Sequence, residues 1–182
     1  MAKGMGVLDR KKKEIRTEYK ISVLGEEGVG KTSLIRRYVE NKFEEGNTER
    51  KMISKKEELY VSIVEEGPPR SDVIALNIWD WTSKITEKQL YINAKGALLV
   101  CDMTAKLTLS SLEYWNNELY KVAGKVPVII VGNKFDLKKE MEVRKKDLVE
   151  MVKKLEASYI ATSAKSGKNV ESAFYKLAKM LI

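Results

Sequence analysis

Eight consecutive residues, Gly25–Glu26–Glu27–Gly28–Val29–Gly30–Lys31–Thr32, limit what this chain can fold into more than any other segment. They fit the pattern G-x-x-x-x-G-K-[ST], and their flanks supply the context that gives it meaning. Tyr19–Leu24 alternates apolar and polar residues as a strand does, and Ser33–Tyr38 has helix-forming composition. A strand that runs into a glycine loop and then a helix makes an anion cradle. Glycine lets successive N–H groups turn toward phosphate oxygens, and the helix N-terminus adds positive dipole. Lys31 adds a full charge, and Thr32 offers a hydroxyl to Mg²⁺. The expected phosphate-side contacts are Glu27, Gly28, Val29, Gly30, Lys31, Thr32 and Ser33.

The rest of the chain continues the alternation. Leu59–Val64 and Val73–Trp79 read as strands separated by the turn residues Gly67–Pro68–Pro69, hence an antiparallel hairpin. Leu98–Cys101, Val128–Val131 and Tyr159–Ala161 are short apolar runs. Ser110–Ala123, Arg144–Leu155 and Val170–Leu181 have the spacing of amphipathic helices. Strands alternating with helices predict an α/β fold with a largely parallel sheet and a ligand site at the carboxyl ends of its strands.

Two short motifs follow two of those strands. Asn133–Lys134–Phe135–Asp136 comes after Val128–Val131. A carboxylate at Asp136 accepts from guanine N1–H and the 2-amino group, donors that adenine lacks, so adenine would leave it unpaired. Asn133 is expected to tie this loop to the glycine loop, and the stem of Lys134 to lie along the base. Thr162–Ser163–Ala164–Lys165 follows the last short strand. The Ala164 N–H suits guanine O6, and the stem of Lys165 packs on the ring. Ser163 completes the expected base pocket.

Composition adds bounds. With 182 residues, 43% hydrophobic and 33% charged, the chain fits one domain with a substantial core. No apolar run reaches the length of a membrane span, and no apolar signal core or myristoylation glycine stands at the N-terminus, so a cytoplasmic location is expected. The single cysteine, Cys101, allows neither an internal disulfide nor a multi-cysteine metal site. Net charge is +8, and the first twenty residues hold seven basic and three acidic side chains. Residues 1–16 read as a flexible basic arm on a domain of residues 17–182. Arg10–Lys13 in that arm is suited to weak contact with an anionic membrane, although a solvated tail is the plainer reading. Nucleic acid is not an expected partner, and the chain is expected to be monomeric.

With all three motifs in order, the sequence resembles the Ras superfamily. Tyr19–Leu34 (YKISVLGEEGVGKTSL) and Leu76–Asp80 (LNIWD) are most similar to its Rab branch. The resemblance spans about residues 19–182. It implies a P-loop NTPase fold, the small G domain: a six-stranded, mostly parallel sheet with one antiparallel hairpin strand and about five flanking helices. It also implies a GTP/GDP switch with Mg²⁺, and partners in the form of effectors, an exchange factor and an activating protein. By the same resemblance Asp80 holds Mg²⁺ through water and Phe43 covers the guanine edge; a helix-end core residue is the alternative for Phe43.

Several positions depart from the family pattern. Where it has Asp-x-x-Gly-Gln, this chain reads Asp80–Trp81–Thr82–Ser83–Lys84. Lys84 cannot accept a hydrogen bond from an attacking water, although its charge can act near the γ-phosphate. Glu27 replaces a small residue beside that phosphate, where Glu26 and Glu27 are otherwise read as pointing to solvent. Thr48 is the nearest threonine to the position that would complete the Mg²⁺ shell. No cysteine follows the last helix, so prenylation is not expected. A slowly hydrolysing GTPase is the expectation, with a hydrolysis-deficient nucleotide-binding interaction module as the alternative. An ATP-using kinase is disfavoured by the guanine-reading motifs.

Overall fold

The computed structural model describes residues 16–44, 54–63, 70–79 and 87–182, with backbone only at 16, 54–63, 70–75 and 87. The expectations for the basic arm before Arg16, and for Thr48, Asp80, Ser83 and Lys84, lie outside the described residues.

Six strands form one sheet: β1 (Arg16–Leu24), β2 (Ser54–Ile63), β3 (Arg70–Trp79), β4 (Gly96–Asp102), β5 (Val128–Asn133) and β6 (Ser158–Ala161). Their order across the sheet is β2-β3-β1-β4-β5-β6. The β2–β3 pair is antiparallel, as the turn residues between the two runs predict, and every other pair is parallel. Since β1 lies between β3 and β4, the chain reverses its direction of travel across the sheet there. The loop leaving β1 therefore sits at a crevice at the carboxyl ends of the strands.

Helices cover both faces: α1 (Lys31–Glu40), α2 (Glu87–Tyr91), α3 (Lys106–Ser110), α4 (Leu112–Ala123), α5 (Lys145–Leu155) and α6 (Val170–Lys179). Alternation along the central strands divides the core in two. Ile21, Val23, Leu98, Val100, Ile129 and Val131 face α1 and α6. Leu24, Leu99, Cys101, Val128 and Ile130 face the opposite way, with Leu90, Leu112, Trp115, Leu119 and Leu148 of α2, α4 and α5. Helix α6 shows the reason for its docking in its own spacing: Val170, Ala173, Phe174, Leu177 and Ala178 recur at helical intervals and are all buried. Tyr38 of α1 stacks on Phe174 at 4.0 Å between ring centroids.

Three differences from the sequence reading matter. The arm boundary falls one residue early, because Arg16 already pairs with Val73 in the sheet. The helix expected from Ser110 is preceded by α3, and the two meet at Ser111, whose dihedrals remain right-handed helical. Thr108 helps to start this turn, its hydroxyl donating to the Ala105 carbonyl at 2.6 Å. Helix α2 was missed altogether. Only five residues long, it is held from outside by the Ser22 hydroxyl, buried in β1, which donates to the Leu90 carbonyl at 2.7 Å.

Candidate functional site

The glycine loop between β1 and α1 takes a backbone course that side chains would prevent. Gly25 (φ 140°), Gly28 (φ 79°) and Gly30 (φ 94°) all lie where L-residues are strained. A Cβ on Gly25 would overlap the Val100 carbonyl, so this loop passes directly over β4. Lys31 Nζ folds back and donates to the carbonyls of Gly25 at 2.8 Å and Glu26 at 2.7 Å. No side chain caps α1 at Gly30 and no acid stands in its first turn, so its dipole favours an anion at that end.

The two acids of the loop behave differently. Glu26 Oε1 accepts from the Trp115 indole N–H at 3.2 Å. The solvent-pointing reading is therefore corrected for Glu26: the buried indole of α4 needs an acceptor, and this carboxylate is within reach. Glu27 is exposed.

On the other side, one amide joins three segments. Asn133 Nδ2 donates to the Val29 carbonyl at 2.9 Å, while Asn133 Oδ1 accepts from the Ala164 N–H at 3.1 Å and the Thr162 hydroxyl at 3.3 Å. Lys134, at φ 62°, sends its Nζ to Asp102 Oδ2 at 2.6 Å, and Asp102 Oδ1 is fixed by the N–H and hydroxyl of Thr104. Asp136 is exposed, with Oδ1 accepting from the Ser163 hydroxyl at 2.6 Å; Ser163 Oγ in turn accepts from the Ser166 N–H at 3.0 Å. The glycine loop, the 133–136 loop and the 162–165 loop thus border one crevice.

The match to the Ras family model covers residues 20–182. Ras-related protein Rab-21 of Geodia cydonium is 34% identical over 181 residues, covering 94% of this chain and 74% of that protein. Ras-related protein Rab-4B of Homo sapiens is 32% identical over 90% of this chain and 76% of its own length. The GTP-binding nuclear protein GSP1 of Encephalitozoon cuniculi is 29% identical over 89% and 75%. The chain belongs to the Ras family.

This Ras-family chain is a GTP-binding small GTPase of the Rab/Ras-like branch. Its family binds GTP or GDP with Mg²⁺ and is read by effectors, exchange factors and activating proteins. The fit of the described residues to such ligands is direct on the phosphate side: a glycine cradle, an uncapped helix start, the Lys31 ammonium, and at Thr32 a hard oxygen donor in the first turn of α1. Among the described residues no three His, Cys, Asp or Glu side chains cluster as a metal site, and Asp80 and Thr48 lie outside them. No helix among the described residues is long and apolar enough to cross a membrane.

Two expected base contacts look different in the structure. The Ala164 N–H already donates to Asn133 Oδ1, so an O6 acceptor would have to share it in a three-centre bond. Phe43 is half-buried and packs against the α1–α6 core. Sequence reasoning also missed three residues that bond to these loops. Asp102 stands at the carboxyl end of β4 two residues before a threonine, a signal that could have marked it. Trp115 and Arg37 sit in the body of helices and carry no such signal. Arg37 bonds the carbonyls of Ala164 and Lys165.

Proposed function

We propose that this chain is a nucleotide switch that binds GTP and GDP through the three loops around the crevice and hydrolyses GTP slowly. The observation that carries the proposal is the set of bonds made by Asn133, which links the phosphate loop at Val29 to the base-side loop at Ala164 through one buried side chain. A site with that linkage holds both ends of a nucleotide at a fixed separation. Glu27 to Ser33 meet the phosphates, with Lys31 as the charge; Asp136 accepts from the base, and Lys134 and Lys165 flank it, with Phe43 at its edge. Mg²⁺, when bound by Thr32 and Asp80 with Thr48 as the candidate third position, neutralises phosphate charge.

Slow turnover follows from residue chemistry. Phosphoryl transfer relies on positioning and on stabilised charge, and Lys31 with the loop amides supplies part of both. Lys84 donates but does not accept, so it cannot orient an attacking water as an amide side chain does. Glu27, exposed at the rim of the phosphate loop, opposes an incoming cationic partner group. The same two residues favour the second reading, an interaction module held in one nucleotide state. The residues before Arg16 would act as a separate basic arm with weak affinity for anionic membranes through Arg10–Lys13.

Identification of the nucleotide that co-purifies, followed by single-turnover GTP hydrolysis, tests the proposal. A guanine nucleotide near one equivalent is expected, with measurable turnover that Lys84→Gln accelerates. An adenine nucleotide would overturn the base assignment, no turnover would select the second reading, and slower turnover in Lys84→Gln would make Lys84 a catalytic group.

A further inference from the structure

Arg37 belongs to none of the motifs, yet its guanidinium bridges two segments that border the crevice. Nε donates to the Ala164 carbonyl at 2.8 Å and Nη2 to the Lys165 carbonyl at 2.8 Å. Nη1 reaches the other way, to the Asn41 carbonyl at 2.9 Å and to Asn41 Oδ1 at 3.1 Å. The stem runs past Gly167, where a Cβ would lie in ordinary contact 3.6 Å from Arg37 Cδ. A planar cation with several donors in fixed directions holds two successive carbonyls in a way that an ammonium cannot.

We infer that Arg37 is a positioning residue for guanine: it fixes the Ala164–Lys165 backbone so that the Ala164 N–H, which donates to Asn133 Oδ1, can share that bond with the 6-oxo group. The inference rests on the proposed reading of Ala164 as the O6 donor. Residue 164 is held at both ends, its N–H side by Asn133 Oδ1 at 3.1 Å and its carbonyl by Arg37 Nε. The peptide that carries this N–H is also held through the Ser163 carbonyl, which accepts from the Gly167 N–H at 2.8 Å, so Arg37 acts on the following peptide, between Ala164 and Lys165, and limits how far residue 164 can turn. Because the same guanidinium grips Asn41, which ends α1 at φ 51°, the base-side loop is also tied to the helix that begins at Lys31.

The test compares GDP with 6-thio-GDP, whose sulfur is the poorer acceptor at the position Ala164 reads, in wild type, Arg37→Gln and Arg37→Lys. Wild type is expected to prefer GDP. Arg37→Gln is expected to weaken GDP by about 10-fold or more, the scale of a lost charge-assisted bond. It should weaken 6-thio-GDP clearly less, so that discrimination shrinks. Arg37→Lys, with a single ammonium, should recover part of the GDP affinity. Equal loss for both nucleotides in both variants, or no loss in either, would overturn the inference and leave Arg37 as packing. Absence of discrimination in wild type would instead overturn the reading of Ala164, and this inference with it. Thermal unfolding of the nucleotide-free variants separates misfolding from these outcomes.

Discussion

Gly30 and Asn133 approach so closely that a Cβ on the glycine would overlap Nδ2 of the asparagine. That same Nδ2 donates to the Val29 carbonyl, and Gly30 sits at φ 94°. A side chain at position 30 therefore meets backbone strain and displaces the amide that joins the loops. Gly30→Ala is expected to cost about 1–3 kcal/mol of stability and most nucleotide affinity. Urea unfolding and nucleotide titration check this, and an unperturbed variant would show that Asn133 can move aside freely.

Asp136→Asn is expected to weaken GDP by roughly 10²- to 10⁴-fold and to shift preference toward xanthosine diphosphate, whose 2-oxo group accepts from an amide. Ser163→Ala should be milder, about 10-fold, because it removes the hydroxyl that orients Asp136 rather than the acceptor itself. Competition titrations with the two diphosphates measure both effects. Unchanged selectivity in Asp136→Asn would refute the assignment of the base reader.

Lys20 holds α2 from outside, with Nζ donating to the carbonyls of Gln89 at 2.6 Å and Ile92 at 2.8 Å and lying 4.1 Å from the centre of the Trp79 ring. Burial lowers its pKa below the ordinary lysine value, the mark of an ammonium partly taken out of water. Lys20→Met keeps the stem and removes these bonds. A loss of about 1–2 kcal/mol and faster amide exchange in residues 88–92 are expected. Exchange that accelerates throughout the chain instead would point to a general loss of packing.

Alkaline pH should destabilise the protein through its second core. Burial pushes the Cys101 thiol up to about 12, with the neighbouring Asp102 adding to the shift, and burial pushes the Tyr159 phenol up to about 12 as well. Above pH 9 the unfolded chain releases protons that the folded chain keeps. Their stabilising contribution is whole below the ordinary thiol value and falls as pH climbs toward 12. Each group adds a slope of at most ~1.4 kcal/mol per pH unit. Urea unfolding of wild type and Cys101→Ala between pH 7 and 10.5 should diverge in slope above pH 9; parallel curves would contradict the thiol's part.

What could be read from the chain and what could not divides along a physical line. Backbone-determined features were legible: glycines with positive φ at 25, 28 and 30, alternation in β1, the apolar runs of β4 and β5, and the spacing of Val170 to Ala178 each act locally. The three loops were named because their residue types match donors and acceptors of a nucleotide. Contacts between distant helices and loops were not legible. Nothing near Glu26 reveals that Trp115, 89 residues on, will claim its carboxylate, and nothing near Arg37 reveals the Ala164 carbonyl. Short α2 escaped for a similar reason, since its stability comes from Ser22 and Lys20 on another element.

Helix α1 carries Lys31 in its first turn and Arg37 six residues later, one touching the glycine loop and the other the 163–168 loop. At ~1.5 Å per residue the six steps between them span about 9 Å. The helix is thus a ruler laid between the two ends of the crevice, and its graduation is the peptide repeat. An inserted residue would lengthen it by ~1.5 Å and rotate Arg37 by about 100°. Loop lengths elsewhere in this fold can drift, but the number of residues from Lys31 to Arg37 cannot change without separating the cation from its two carbonyls.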